Sequence, residues 1–227
     1  MTVLDAGPTT PALSVAMREG SRAEHEDAEG STFMSELLDG RISEEGYAAY
    51  LRRLRAVYAA METVVRERSG DPLVAAVHDP ALERLAAIDA DLDHWAPGAD
   101  HDLAPGESPA AATYCDRLRG ASWGGALVAH HYTRYLGDLS GGQAIGRVLD
   151  RAFELDGAGT AFYAFPAVPK PKPYKDAYRA RLDALGLDGA GVDRVVEEVK
   201  VAFRLNQALF TELGERIDAY RRPARQD

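Results

Sequence analysis

Apolar residues recur in this chain at three- and four-residue intervals almost from end to end, and nowhere do they alternate. That spacing places them along one side of a helix, whereas a half-buried strand needs every second residue apolar. The longest stripe is Tyr47, Tyr50, Leu51, Leu54, Val57, Tyr58, Met61 and Val65, and Ser43 ahead of it suits an N-cap. Leu13 and Met17 open an earlier helix that the pattern carries to about Glu29. A short helix bearing Phe33, Leu37 and Leu38 starts at Ser31 or Thr32 and stops at Asp39-Gly40. Asp71-Pro72 and Asp79-Pro80 read as helix starts with proline in first position, and Leu82, Leu85, Ile88 and Leu92 as the next stripe. Residues 96–108 (APGADHDLAPGES) form a loop, and helix resumes near Pro109. Further helical patterns span about 124–153, 174–185 and 191–221, with an irregular stretch at 156–173. The expectation is a single all-α domain over residues 12–214, with a flexible N-terminus at 1–11 and a polar tail at 215–227.

Composition narrows the function. A net charge of −10 repels phosphate backbones, so nucleic acid is not an expected partner. Any anionic ligand then has to meet a local cluster of Lys and Arg. The single cysteine, Cys115, excludes an intramolecular disulfide and zinc sites built from two or more thiolates; a buried small residue is its default reading. No stretch reaches about 20 apolar residues, and the start of the chain lacks the pattern of a signal peptide. A cytoplasmic protein with no membrane span is expected.

Two local features admit a functional account beside the structural one. Gly137, Gly141, Gly142 and Gly146 interrupt a helical pattern, although each interior glycine costs roughly 1 kcal/mol relative to alanine. Either a neighbouring helix backbone comes close there, or a flat ligand does and the helix bends over it. The second feature is His25 with Glu29 four residues on, so that the two share a helix face. A carboxylate on one ring nitrogen orients the imidazole and frees the other for a metal; a lone histidine is also often an ordinary surface residue. Other constellations are weaker. Asp91 and His94 have di-iron spacing but no second Glu-x-x-His partner, and the adjacent His130 and His131 point to different faces. Ser140 does not sit in a GxSxG elbow.

The segment YTRYLGDLSGGQ, residues 132–143, closely resembles the distal-helix motif of the haem oxygenase family. Three other pieces resemble that family in the same order along the chain. They are Arg18-x3-Arg22-x2-His25-x3-Glu29, Lys175-x2-Tyr178-Arg179 and Phe203-x2-Asn206-x3-Phe210. The resemblance covers about residues 12–214. It implies haem held between a proximal helix and a kinked, glycine-rich distal helix. His25 would be the proximal ligand of haem b, leaving the sixth iron position open for O2, with Glu29 behind it. Gly137 and Gly141 would let the distal helix lie close to the haem face, completed by Ser140 and Gly142. Asp138 would hold a water on the oxygen-binding side, with Tyr132 and Arg134 in the same polar network. Arg18, Lys175, Tyr178 and Arg179 would contact the propionates, and Phe203, Asn206 and Phe210 would wall the cleft.

The activity so implied is oxidative cleavage of haem to biliverdin with release of CO and ferrous iron. Electrons would come from NAD(P)H through a soluble reductase or ferredoxin, and the protein would act as a monomer. Arg18 stands where lysine is common in the family, which keeps the charge but changes the reach. Two other functions compete: haem storage without cleavage, and a fold relative with thiamin-type or di-iron chemistry. The first has no need of Asp138 and the glycines; the second would need a catalytic cysteine or a carboxylate–histidine cluster.

Overall fold

A computed structural model describes residues 11–222. It is helical, with no strand among the described residues. In chain order the α-helices are α1 (Leu13–Gly20), α2 (Arg22–Glu29), α3 (Thr32–Leu38), α4 (Glu44–Glu67), α5 (Pro72–Ala75) and α6 (Leu85–Trp95). They continue with α7 (Pro109–Arg119), α8 (Gly124–His131), α9 (Gln143–Phe153), α10 (Pro171–Asp183), α11 (Gly189–Gly214) and α12 (Ile217–Tyr220). Short 3₁₀ turns occupy Pro80–Leu82 and Ala161–Tyr163. The helix expected from Leu13 to about Glu29 is two pieces, broken at Ser21, whose hydroxyl turns back to the Met17 carbonyl at 2.7 Å.

Helix starts follow side-chain chemistry. The oxygens of Ser31, Ser43, Asp71, Asp79, Ser108 and Asp188 each accept a backbone N–H of the helix or turn that follows. Proline occupies the first position after Asp71, Asp79 and Ser108, where its missing N–H goes unnoticed.

Two long helices organise the core. The inner stripe of α4 lies against α6 and α7, while α11 runs past α1, α2, α3 and α8. Leu51, Leu54, Val57, Tyr58 and Met61 are fully buried, and each contributes about 1.5–3 kcal/mol of transfer free energy. The last described residues depart from the expected polar tail. Tyr220 is buried against α4, and its carbonyl accepts the Ser43 N–H at 2.7 Å. A Cβ on Gly46 would stand 2.7 Å from the Tyr220 Cβ, so only glycine admits this contact. The N-terminal stretch expected to be flexible lies, but for residue 11, outside the described residues. No helix among the described residues is long and apolar enough to cross a membrane.

Candidate active site: a cleft between α2 and a π-helical segment

Between α8 and α9 the backbone is not α-helical. Tyr132–Leu136 and Asp138–Gly142 are π-helical, with Gly137 between them in ordinary helical dihedrals. The wider i→i+5 turn is uncommon and is frequently found at functional sites. Facing this segment across a cleft are α2 and α11. The cleft, about 130 Å³, is lined among others by His25, Ala28, Glu29, Arg134, Gly137, Asp138, Gly141, Gly142, Phe203, Asn206 and Phe210.

The glycines divide into two kinds. A Cβ on Gly142 would lie 3.2 Å from the Tyr163 ring, and one on Gly146 would lie 3.1 Å from the Tyr163 Cβ. These two are packing glycines. A Cβ on Gly137 or Gly141 would meet no atom within 4 Å. Nothing in the protein requires glycine there, and both line the cleft.

On the α2 side, His25 presents a half-exposed ring, edge-on to Phe203 with centroids 5.3 Å apart. Its Nδ1 lies 3.6 Å from a Glu29 oxygen, too far for a hydrogen bond. On the opposite wall a buried polar knot holds Asp138. The Tyr58 hydroxyl donates to Asp138 and accepts from Arg134 Nε at 3.1 Å. Arg134 also donates to the Asn206 side-chain oxygen at 2.8 Å, and its other nitrogen is 3.9 Å from Asp138. Burial pushes the Asp138 carboxyl above its ordinary range, although Arg134 and Tyr58 pull against it. The arrangement supplies a fixed acceptor on the wall of the cleft.

Expected residues outside the cleft lining form a cationic edge. Lys175 Nζ donates to the exposed Ser140 hydroxyl at 2.8 Å and to the Leu139 carbonyl at 3.2 Å. Arg18 and Arg179 are paired with Glu19 and Asp176 and reach solvent. Tyr132 belongs to this edge rather than to the Asp138 network: burial raises its phenol, and its charged neighbours are Arg179 and Arg18. Tyr178 corrects the expected propionate set. It is fully buried, with its hydroxyl 2.8 Å from His131 Nδ1. One residue is about 100° of helix, so Arg179 can face outward while Tyr178 faces the core.

Sequence reasoning missed Tyr58, Tyr50, Thr133 and Tyr163, which build or line the site. Tyr58 carried one signal: a tyrosine in an apolar stripe must find a partner for its hydroxyl when buried. His130 and His131 do face apart, towards Glu198 and Tyr178 respectively. Asp91 serves backbone N–H groups of another segment.

The Heme oxygenase family model matches residues 11–212. The chain belongs to that family. It is 37% identical over 208 residues to Heme oxygenase 1 of Homo sapiens, an alignment spanning 89% of this chain and 72% of that protein. It is 36% identical to Heme oxygenase 2 of Synechocystis sp., across 91% of this chain and 85% of that one. The fold is similar to the crystal structure of heme oxygenase-2 from Synechocystis sp. PCC 6803 in complex with heme and NO. That match has a TM-score of 0.86 and 34% identity, covering 92% of this chain and 88% of the other.

Proposed function

We propose that this member of the haem oxygenase family holds its substrate, haem, in the cleft between α2 and the π-helical segment, and cleaves it there. The observation that carries the assignment is the empty space over Gly137 and Gly141, which face the cleft yet are packed against nothing. A flat ligand lying there explains why glycine is kept at a cost of roughly 1 kcal/mol per position. The surroundings suit a macrocycle with acidic substituents: apolar walls at Ala28, Phe203 and Phe210, and Arg18, Lys175 and Arg179 as cations at one edge.

Haem, when bound, supplies both the iron that binds O2 and the carbon skeleton that is oxidised. The imidazole of His25 would ligate the iron through one nitrogen, with Glu29 beside the other and Phe203 limiting ring rotation. The side chain of Asp138, fixed by Tyr58 and Arg134, would hold a water on the open side and pass protons through it. Gly137 and Gly141 would bring the helix backbone near the plate and exclude bulk water from most of its edge. The products are biliverdin, CO and ferrous iron, with electrons from NAD(P)H delivered by a soluble reductase or ferredoxin. In the same reading the protein works as a cytoplasmic monomer, in keeping with a net charge of −10 and a buried lone cysteine.

Haemin titration followed by turnover with reductant and O2 tests this. The parent protein is expected to form a Soret-absorbing complex and then bile pigment with CO; His25→Ala loses the ligated spectrum. Asp138→Ala is expected to bind haemin with little change while bile-pigment formation falls by about 100-fold or more. A complex that survives reductant and O2 unchanged would establish storage instead. Normal turnover by Asp138→Ala would remove that residue from the chemistry.

A further inference from the structure

We propose that Asp91 is a positioning residue for the cleft: by fixing the Ala161–Tyr163 turn, it sets how closely the π-helical segment stands over the substrate. This rests on the assignment of the cleft as the haem site.

Asp91 lies on the inner face of α6 and is 1% exposed. Both of its oxygens go to backbone of one distant turn, accepting from Ala161 N–H at 2.7 Å and Phe162 N–H at 2.8 Å. From the end of the same helix, Trp95 Nε1 donates to the Gly159 carbonyl at 2.6 Å. Burial pushes the Asp91 carboxyl up and the two N–H groups draw it back, as expected of a charge kept in the core for those two bonds.

That turn is the floor beneath the end of the distal wall. The Tyr163 ring lies 3.2 Å from a Cβ position on Gly142 and 3.3 Å from one on Gly146, so the helix rests on the ring without a side chain between. The Tyr163 carbonyl accepts from Gln143 Nε2 at 2.6 Å. The wall is therefore tied upstream through Arg134 and Asp138 to Tyr58, and downstream to the turn. Gly137 and Gly141, between the ties, have open space. The height of the wall over the cleft depends on the downstream tie, and Asp91 holds that tie without lining the cleft itself.

Asp91→Asn keeps the volume but leaves one acceptor oxygen where there were two. In the haem-free protein, amide exchange in α9 is expected to quicken by about tenfold relative to α4, the size expected for loss of one charge-assisted hydrogen bond. In the haem-loaded protein, the ratio of bile-pigment isomers is expected to shift, because a different ring edge becomes reachable. Gly146→Ala presses on the same contact from the other side and is expected to move both readouts. Leu118→Ala, a fully buried change in α7, serves as the comparator that lowers stability without touching the turn. If Asp91→Asn behaves like Leu118→Ala, with uniformly faster exchange and an unchanged isomer ratio, Asp91 is only a staple and the proposal fails. If Asp91→Asn does not fold, Gly146→Ala decides by the same two readouts. Failure of the parent protein to bind haemin would sink the cleft assignment but leave the exchange result standing.

Discussion

Gly141 and Gly146 lie in one continuous helical stretch, yet their neighbourhoods are opposite, and substitution separates them. At Gly141 a methyl group enters open space, so Gly141→Ala is expected to leave the haem-free protein as stable or stabilise it by up to about 1 kcal/mol, while haemin affinity falls. At Gly146 it presses on Tyr163, and the same change is expected to cost about 1–2 kcal/mol. Thermal unfolding without haem and haemin titration check the pair; a destabilised Gly141→Ala would mean the position serves packing after all. His131 supplies a second test. Burial, reinforced by neighbouring His78, lowers its pKa to about 3. Below about pH 6.5 the unfolded chain gains a proton that the folded one refuses, so stability falls as pH drops through that value and towards 3. From pH 7.5 to 5 this one group is expected to remove roughly 1–2 kcal/mol, and denaturant titrations of His131→Gln should lack that slope. At this scale the sequence was legible mainly through motif: Asp138 stood out only by the resemblance of residues 132–143 to the family, and His25 by its spacing from Glu29 together with that resemblance. Tyr58 did not, because its spacing is that of the apolar Leu54, Val57 and Met61 around it, and only the fold brings Asp138 to its hydroxyl.

Most helices follow the periodicity, and Ser43 and Asp71 cap helices as expected; Asp79 opens only the 3₁₀ turn Pro80–Leu82, with α6 beginning at Leu85, and Ser108, expected to end a loop, caps α7. What periodicity could not convey was the π-helical backbone of Tyr132–Leu136 and Asp138–Gly142, since apolar spacing tolerates a wider turn over one or two cycles. Nor did it reveal the break at Ser21, where a serine hydroxyl takes a carbonyl that would otherwise continue the helix. The π-helical segment forms one wall of the cleft and carries Gly137 and Gly141 packed against nothing, so it is the part of the site best able to shift as a macrocycle seats. Amides of Tyr132–Gly142 are expected to exchange faster than those of α4 in haem-free protein and to slow by at least about tenfold with haem bound. Equal protection in both forms would mean a rigid wall.

Across the whole molecule, residues far apart in the chain close the fold. Tyr220 fills the notch over Gly46, the Arg222 N–H donates to the Arg41 carbonyl at 2.8 Å, and Arg221 pairs with Glu36. Nothing in the polar run RIDAYRRPARQD announced this, because a single aromatic among charges has no periodicity. Tyr220→Ala is expected to cost about 3 kcal/mol, seen as a lower Tm with haemin affinity retained; an unchanged Tm would return the segment to the status of a tail. The cleft has the same long reach, drawing His25 from near one end of the described chain and Phe203, Asn206 and Phe210 from near the other. Synthesis runs from the first of these to the last, so α2 waits on the ribosome first for the π-helical wall opposite it and then for α11, which completes its own side of the cleft. A nascent chain thus carries His25 long before the cleft exists, and in the proposed reading capture of a reactive pigment has to wait until its enclosure can form.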